Sequence, residues 1–189
     1  MSGAIPWFAR ETMKPFGPPA SRRNMIRVRV ATLSGAIDLT VHDRKIALER
    51  LPRVYTVRER VGRWARGPKY EIRGLTPDPI AVSYHLLGDR IQLRLPGGPI
   101  EVAMRLTKSA PFSMGDQRVR LHVFPLRGRL LLETLEGRKV ARGTYGLGGV
   151  EFTQYEKPLE PFLAAVAVGF ALREEWSEAA WVPLVASFP

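Results

Sequence analysis

The sequence predicts a mainly β protein, an antiparallel closed barrel of about twelve strands around a buried hydrophobic helix near the C-terminus. From residue 25 onward, short segments alternate apolar and polar residues, which is the period of half-buried strands. Turn residues separate these segments roughly every eight to twelve residues, the spacing expected of a sandwich or barrel. One further run, from Pro161 to Leu172, contains no polar side chain.

The predicted strands begin with Ile26–Val30, in which apolar residues alternate with arginine. Turns are indicated by Pro77-Asp-Pro79, Gly88-Asp89 and Glu136-Gly137. No long helical pattern lies between the strands, which disfavours a parallel sheet. The remaining strands are predicted at 37–41, 54–61, 70–72, 80–87, 91–95, 100–106, 119–124, 130–135, 139–145 and 150–155.

A helix is predicted near 160–173. Pro161 suits its first turn, and Glu160 complements the positive end of the helix. Because the helix is apolar on every face, it must be buried on every face, and a closed barrel can surround one helix. We expect the polar stretch Arg173–Glu175 to mark its exit to solvent.

The chain divides into a proline-rich extension over 1–24, a barrel domain over 25–175 and an apolar tail over 176–189. We expect the tail to add a strand or to cover a barrel end. The large apolar residues of the extension and the tail either pack on the domain's own surface or bind a partner. These partner-binding candidates are Trp7, Phe8, Phe16, Trp181 and Phe188.

The run that ends at Leu172 is shorter than the about 20 residues of a membrane span. The first ten residues lack the pattern of a secretory signal, and the chain has no cysteine. We therefore expect a cytoplasmic protein without a transmembrane segment.

The net charge of +11 favours polyanionic partners, such as nucleic acid, anionic lipid or an acidic protein. Equally, the arginine excess can reflect genome composition or a hot habitat. The densest basic patch contains guanidinium groups for phosphate oxygens and a tryptophan for stacking or for a lipid headgroup, although a solvated strand face and loop would look the same. These anion-binding candidates are Arg58, Arg60, Arg63, Trp64, Arg66 and Lys69, with Arg63–Lys69 placed in a loop.

Two further arginine sets are typical of the polar sides of strands. The first set is Arg22, Arg23, Arg27 and Arg29, of which Arg27 and Arg29 alternate with core residues of the first strand. The other set, across a probable hairpin, would place like charges opposite each other unless an anion or an acidic partner intervenes. Its members are Arg118, Arg120, Arg127 and Arg129.

Catalytic motifs are not found in the sequence. His42, His85 and His122 lack metal-binding spacing, and His42-Asp43 is a turn-like pair that only weakly indicates acid–base chemistry. The glycines of 146–149 are not followed by the Lys-Ser/Thr of a phosphate loop, and no serine lies in a G-x-S-x-G elbow. We expect no catalytic residues, no metal and no cofactor.

The segments Leu130–Tyr145 and Val150–Tyr155, followed by the helix at 160–173, form a strand, a glycine turn, two strands and an apolar helix. This order resembles the tubby C-terminal-like group, which includes the LURP-one-related proteins and the phospholipid scramblases, and it extends over residues 26–175. The resemblance implies a twelve-stranded barrel threaded by a central helix, and a binding module more than an enzyme. In that group the animal tubby branch binds phosphoinositides and the scramblase branch associates with membranes. No phosphoinositide-binding motif is present here, so no site residues are transferred.

These observations favour a binding module that recognises an anionic ligand or an anionic membrane surface. Two alternatives remain open. One is a subunit of a larger assembly that docks through its N-terminal arm and C-terminal tail. The other is a nucleic-acid-associated basic protein, which would read shape or backbone because the sequence has no RRM or KH signature.

Overall fold

The computed structural model describes residues 25–30, 36–51, 66–85, 89–105, 107–114, 117–146 and 149–185, with side chains except at 66–68, 105 and 174–185. These residues form thirteen strands and one long helix, α1, at Glu160–Val185. The strands are β1 Ile26–Val30, β2 Ile37–Val41, β3 Arg44–Leu51, β4 Arg66–Arg73, β5 Ile80–His85, β6 Arg90–Leu95, β7 Gly98–Arg105, β8 Lys108–Ser109, β9 Phe112–Met114, β10 Gln117–Phe124, β11 Arg129–Thr134, β12 Lys139–Gly146 and β13 Gly149–Tyr155.

The strands form one closed antiparallel ring. Its order is β11-β12-β13-β1-β2-β3-β4-β5-β6-β7-β8-β10, and the pairing of β10 with β11 closes it. The short strands β8 and β9 both pair with the same edge of β10, at His122 and at Val119. They therefore share one position, and the ring has twelve positions. The predicted fold class is confirmed.

The helix α1 fills the barrel. Every residue from Phe162 to Leu172 is buried, and this segment packs against strands on several sides, including β1, β5, β6 and β13. The inward residues of the strands complete the core, as Ile26 and Val28 do on β1. The apolar circumference of the helix is satisfied because the sheet closes around it.

Strand β3 was not expected from the sequence. Half of its residues are charged, and only Ile46 is buried. A two-residue turn directs the chain into it, because His42 and Asp43 have φ of 50° and 63° and Val41 pairs with Arg44. Such turns match the twist of paired strands, so the turn-like His42-Asp43 pair indicated a returning strand.

Strand β4 begins earlier than the sequence predicts. The segment Arg63–Lys69 was expected to be a loop, but residues 66–69 belong to β4. The pairing with β5 shifts between Arg66 and Lys69, which marks a bulge at Gly67-Pro68. Proline and glycine are tolerated in strands at such bulges, so the two residues interrupt the ladder without ending the strand.

The helix extends further than predicted. It was expected to end near Arg173, but its backbone remains helical to Val185. The described part of the predicted tail, 176–185, therefore continues the helix and adds no strand to the sheet.

Polar side chains hold the helix at both ends of the barrel. At the lower end, where the helix begins, Glu160 pairs with His42. At the upper end, Arg173 donates two hydrogen bonds to the Asp89 carboxylate at 2.8 and 2.9 Å. The Tyr84 hydroxyl lies 3.0 Å from the same carboxylate, and the Arg173 guanidinium lies 5.5 Å from the centre of the Phe170 ring. The helix thus runs from the lower end to the upper end.

Tyr155 lies near the start of the helix and gives a test of burial at the lower end. Burial, with a smaller contribution from the nearby Glu160 carboxylate, raises the pKa of Tyr155 to about 12. The hydroxyl oxygen is buried and makes no hydrogen bond to the described residues. We therefore expect Tyr155→Phe to change the free energy of unfolding by less than about 1 kcal/mol at neutral pH.

The same variant is expected to be more resistant to alkali. The unfolded chain releases a tyrosine proton near pH 10, and the folded protein releases that of Tyr155 only near pH 12. Stability that is present below about pH 10 is therefore lost as the pH rises through that interval, and phenylalanine removes this loss. Urea unfolding at about pH 9 and about pH 11.5 measures it. A constant difference between the two proteins at both pH values would contradict the assignment.

Candidate functional site

An open cleft of about 340 Å³ lies on the outer face of β1, β12 and β13, near the upper end. Gly146 and Gly149 pair across the β12–β13 connection and line the cleft. Because neither residue has a side chain, the outer surface is depressed between the neighbouring polar groups. The other lining residues are Arg27, Val28, Arg29, Thr144, Tyr145, Val150 and Glu151.

The charges around this cleft are mostly positive. The Arg27 Nε lies 2.7 Å from a carboxylate oxygen of Glu151, so these two charges neutralise each other. Arg29 is exposed and forms no ion pair within the described residues. Arg129 lies opposite Thr144 in the β11–β12 ladder and is likewise exposed. Exposed guanidinium groups therefore lie on both sides of the cleft, Arg29 on β1 and Arg129 on β11, and they are available to bind an anion.

The turn between β10 and β11 lies beside the cleft at the same end. Arg127 and Arg129 are exposed there, and neither forms an ion pair within the described residues. Lys108, which pairs with His122 of β10, adds a third exposed cation. Phe124 is 42% exposed and Leu126 is fully exposed, so large apolar side chains project into solvent among these cations.

Carboxylates are distributed differently. Most of the described acidic side chains are paired with cations, as Asp89 is with Arg173 and Asp38 with Lys45. Among the described residues, the carboxylates without an ion pair belong to turns at the lower end: Asp43, Asp78 and Glu136. The hydrogen bond from the Thr134 side chain lowers the pKa of the Glu136 carboxyl, which therefore stays charged there. At the upper end, Asp89 is paired with Arg173, and Asp38, which lies opposite Arg29 in the β1–β2 ladder, is paired with Lys45. Arg29, Arg127 and Arg129 form no ion pair within the described residues.

Of the predicted anion-binding residues, the structure places the side chain of Lys69 alone. Lys69 is exposed on the outer face of β4, separated from the cleft by β2 and β3. Arg66 is described through its backbone only. Arg58, Arg60, Arg63 and Trp64 lie outside the described residues, so the basic patch stays a prediction. The residues that flank this gap, Leu51 and Arg66, are both at the upper end of the barrel.

The predicted partner-binding residues also lie outside the described side chains. Trp7, Phe8, Phe16 and Phe188 are not described, and Trp181 is described only as part of the backbone of α1. Their role stays a prediction.

The arginines of the β10–β11 hairpin are not placed opposite one another. Arg120 pairs with Glu133, and Arg129 pairs with Phe124. The described part of this ladder therefore holds no like-charge pair that calls for a bound anion. Glu133 itself forms an ion pair with His122 at 2.7 Å.

The sequence predicts the outer-face arginines of β1 only as the polar side of a strand, and it does not single out Leu126. The feature that could have indicated Leu126 is the segment Phe124-Pro-Leu-Arg-Gly-Arg129, in which an apolar residue lies in a basic turn.

Within the described residues, no group of three metal-binding side chains is placed to hold an ion, and no helix has both the length and the apolar character to cross a membrane. Comparison of the chain with protein-family models, curated proteins and solved structures gives no match. The structure therefore confirms the closed barrel with its helix, and no comparison names the tubby-like group.

Proposed function

We propose that this chain is a non-enzymatic binding module with a tubby-like barrel, and that it recognises phosphate-bearing anions or an anionic membrane surface through its upper end. The observation that carries this proposal is the pair of exposed arginines, Arg29 and Arg129, beside the outer cleft, neither of which forms an ion pair within the described residues. Guanidinium groups bind phosphate oxygens through two parallel hydrogen bonds, and the glycine-lined depression gives such a group room to approach.

The packing of the barrel supports binding on its outside. The interior is filled by the helix from Phe162 to Leu172 and by inward strand residues. A ligand inside would have to displace this core, whereas the outer cleft is open to solvent. Binding modules that use a rigid scaffold commonly place the contact residues at its surface. The barrel is thus proposed as the scaffold, and its upper end as the contact surface.

The function is tested by neutralising the two arginines together, with Arg29→Gln and Arg129→Gln in one variant. Flotation is compared on vesicles of phosphatidylcholine alone and on vesicles that also contain phosphatidylserine. Each basic residue near an anionic surface contributes about 1 kcal/mol, so the variant is expected to bind the anionic vesicles about tenfold more weakly or worse. The control carries the same change of charge at the lower end, with Arg94→Gln and Lys139→Gln, and is expected to bind almost normally.

The source of the phosphate is distinguished in parallel. Titration with pyrophosphate reports a soluble anion, and it is expected to saturate the wild type but not the Arg29/Arg129 variant. Equal recovery of the wild type on neutral and anionic vesicles at low salt, together with no pyrophosphate binding, would contradict the proposed function. A nucleic-acid mobility shift at about 50 mM salt that vanishes as salt is raised would instead favour the nucleic-acid alternative.

A further inference from the structure

The turn between β10 and β11 combines large exposed apolar side chains with exposed arginines. Leu126 is fully exposed and Phe124 is 42% exposed, so large apolar area is left unburied at one tip. Arg127 and Arg129 lie directly beside it, exposed and without an ion pair among the described residues. Single exposed apolar residues are common, but here they occur as a cluster at the outermost point of a hairpin.

The tip is held rigidly. Pro125 begins a short 3₁₀ turn, Pro125–Arg127, which fixes the backbone before Leu126. Gly128 has φ of 53°, a conformation that favours glycine, and its N–H donates a hydrogen bond to the Pro125 carbonyl at 3.2 Å. The Tyr145 N–H donates to the Gly128 carbonyl at 2.9 Å, which attaches the turn to β12. Leu126 is therefore held outside the barrel by a defined structure.

This arrangement is complementary to the surface of an anionic membrane. In such a surface, apolar side chains are stable at the boundary between headgroups and acyl chains, and arginines are attracted to the phosphates above it. The apolar tip with arginines at its base presents these two groups in that order. A free phosphate would bind the arginines but would leave Leu126 in water, so the apolar tip favours a lipid surface over a soluble anion.

The tip and the outer cleft lie on one contiguous surface. Arg129 at the base of the tip pairs with Thr144, which lines the cleft, and Tyr145 both lines the cleft and holds Gly128. A membrane that received the tip would therefore bring phosphates close to the arginines of the cleft. The carboxylates without an ion pair among the described residues lie at the opposite end and would not oppose this approach.

We propose that the β10–β11 tip docks this protein on anionic membranes, with Leu126 and Phe124 inserted below the phosphates and with Arg127 and Arg129 bound to them. This inference deepens the proposed function and depends on it, because it names the membrane as the partner and the tip as the element that enters it.

The first test removes the apolar tip without changing charge. Leu126→Ser is expected to weaken binding to phosphatidylserine-containing vesicles about tenfold and to leave pyrophosphate binding unchanged. The matched control is Leu135→Ser, because Leu135 is also an exposed leucine, 45% accessible, but lies in a turn at the lower end. It is expected to bind the vesicles as the wild type does, and thermal unfolding confirms that both variants are folded.

The second test measures insertion directly. Because the chain has no cysteine, Leu126→Cys and Leu135→Cys each carry a single environment-sensitive fluorophore. On anionic vesicles the label at 126 is expected to shift to shorter wavelength and to be quenched by spin labels placed high on the acyl chains. The label at 135 is expected to show neither change.

The outcomes separate the two proposals. If Leu126→Ser binds anionic vesicles as well as the wild type does and the label at 126 remains in water, tip insertion is wrong while anion recognition by Arg29 and Arg129 stands. If the wild type binds neither anionic vesicles nor pyrophosphate, the proposed function itself fails. A loss of pyrophosphate binding in Leu126→Ser would show that the tip supports the cleft and does not insert, and it would also overturn the inference.

Discussion

Replacing Gly169 by leucine is expected to lower the free energy of unfolding by more than about 3 kcal/mol. Gly169 lies in the buried part of α1, and a Cβ atom there would be 2.2 Å from Ile91 Cγ2 and 3.4 Å from Val82 Cγ1. Isoleucine is branched at Cβ and has little rotational freedom with which to move aside. The site has no room for one added carbon, and leucine adds several.

Whether Gly169→Leu lowers or raises the free energy of unfolding tests whether the helix is enclosed by the barrel. On a helix that faces solvent, replacing glycine improves helix propensity by about 1 kcal/mol. Inside a filled barrel, the steric cost exceeds that gain. Stabilisation by Gly169→Leu would therefore mean that the helix is not enclosed, whereas strong destabilisation is expected of a helix in contact with strands on opposite sides.

Urea unfolding measures this effect, with Gly97→Leu as the control. Gly97 lies in an exposed turn, and a Cβ atom there would meet nothing within 4 Å. A double-mutant cycle adds a second criterion. Ile91→Ala removes the contacting methyl group, so Gly169→Ala is expected to cost less in the Ile91→Ala background than in the wild type. Additive effects would contradict the close contact.

The fold could be predicted from the sequence where the pattern was strong. The apolar run from Phe162 to Leu172 has no polar side, so the sheet had to close around it, and β1 alternates regularly between core and solvent. The prediction failed where tertiary pairing overrides a weak local pattern. Half of the residues of β3 are charged and its apolar residues do not alternate regularly, and the strand forms because the turn at His42-Asp43 pairs it with β2. The helical backbone beyond Arg173 also went unpredicted, since polar residues there indicated an exit from the barrel.

The candidate site was less predictable, because charge density along the chain differs from uncompensated charge in space. The sequence emphasised Arg58–Lys69, where basic residues are close together. In the described structure, Arg73 belongs to a basic stretch of the sequence, but its charge is neutralised by Glu49 and Glu71. Arg29 and Arg129, in contrast, are a hundred positions apart in the sequence and lie on either side of the cleft, on strands separated by β12 and β13. Their importance depends on strand register and on which carboxylates are already paired, and neither is visible in one sequence.

Replacing Gly149 by alanine is expected to disrupt the ring where β13 meets β1. Gly149 has φ of +120°, and a Cβ atom there would be 1.9 Å from the Val28 carbonyl oxygen and 3.0 Å from Arg29 Cα. These are backbone atoms, so the clash is relieved only by separating the two strands. The unfavourable φ alone costs about 1–3 kcal/mol, and the loss of strand pairing adds to it. We expect a total loss of stability of at least about 3 kcal/mol.

Gly146→Ala is the matched control, because Gly146 pairs with Gly149 across the same connection and a Cβ atom there would meet nothing within 4 Å. Its stability is expected to change by less than about 0.5 kcal/mol. Amide hydrogen exchange locates the damage, and in Gly149→Ala the amides of β1 and β13 are expected to lose protection first.

Both glycines line the outer cleft, so the two variants together distinguish an effect on folding from an effect on anion binding. Weaker anion binding by a stable Gly146→Ala protein would show that the cleft itself receives the ligand, whereas equal stability of the two variants would mean that β1 and β13 do not approach as closely as the ring requires.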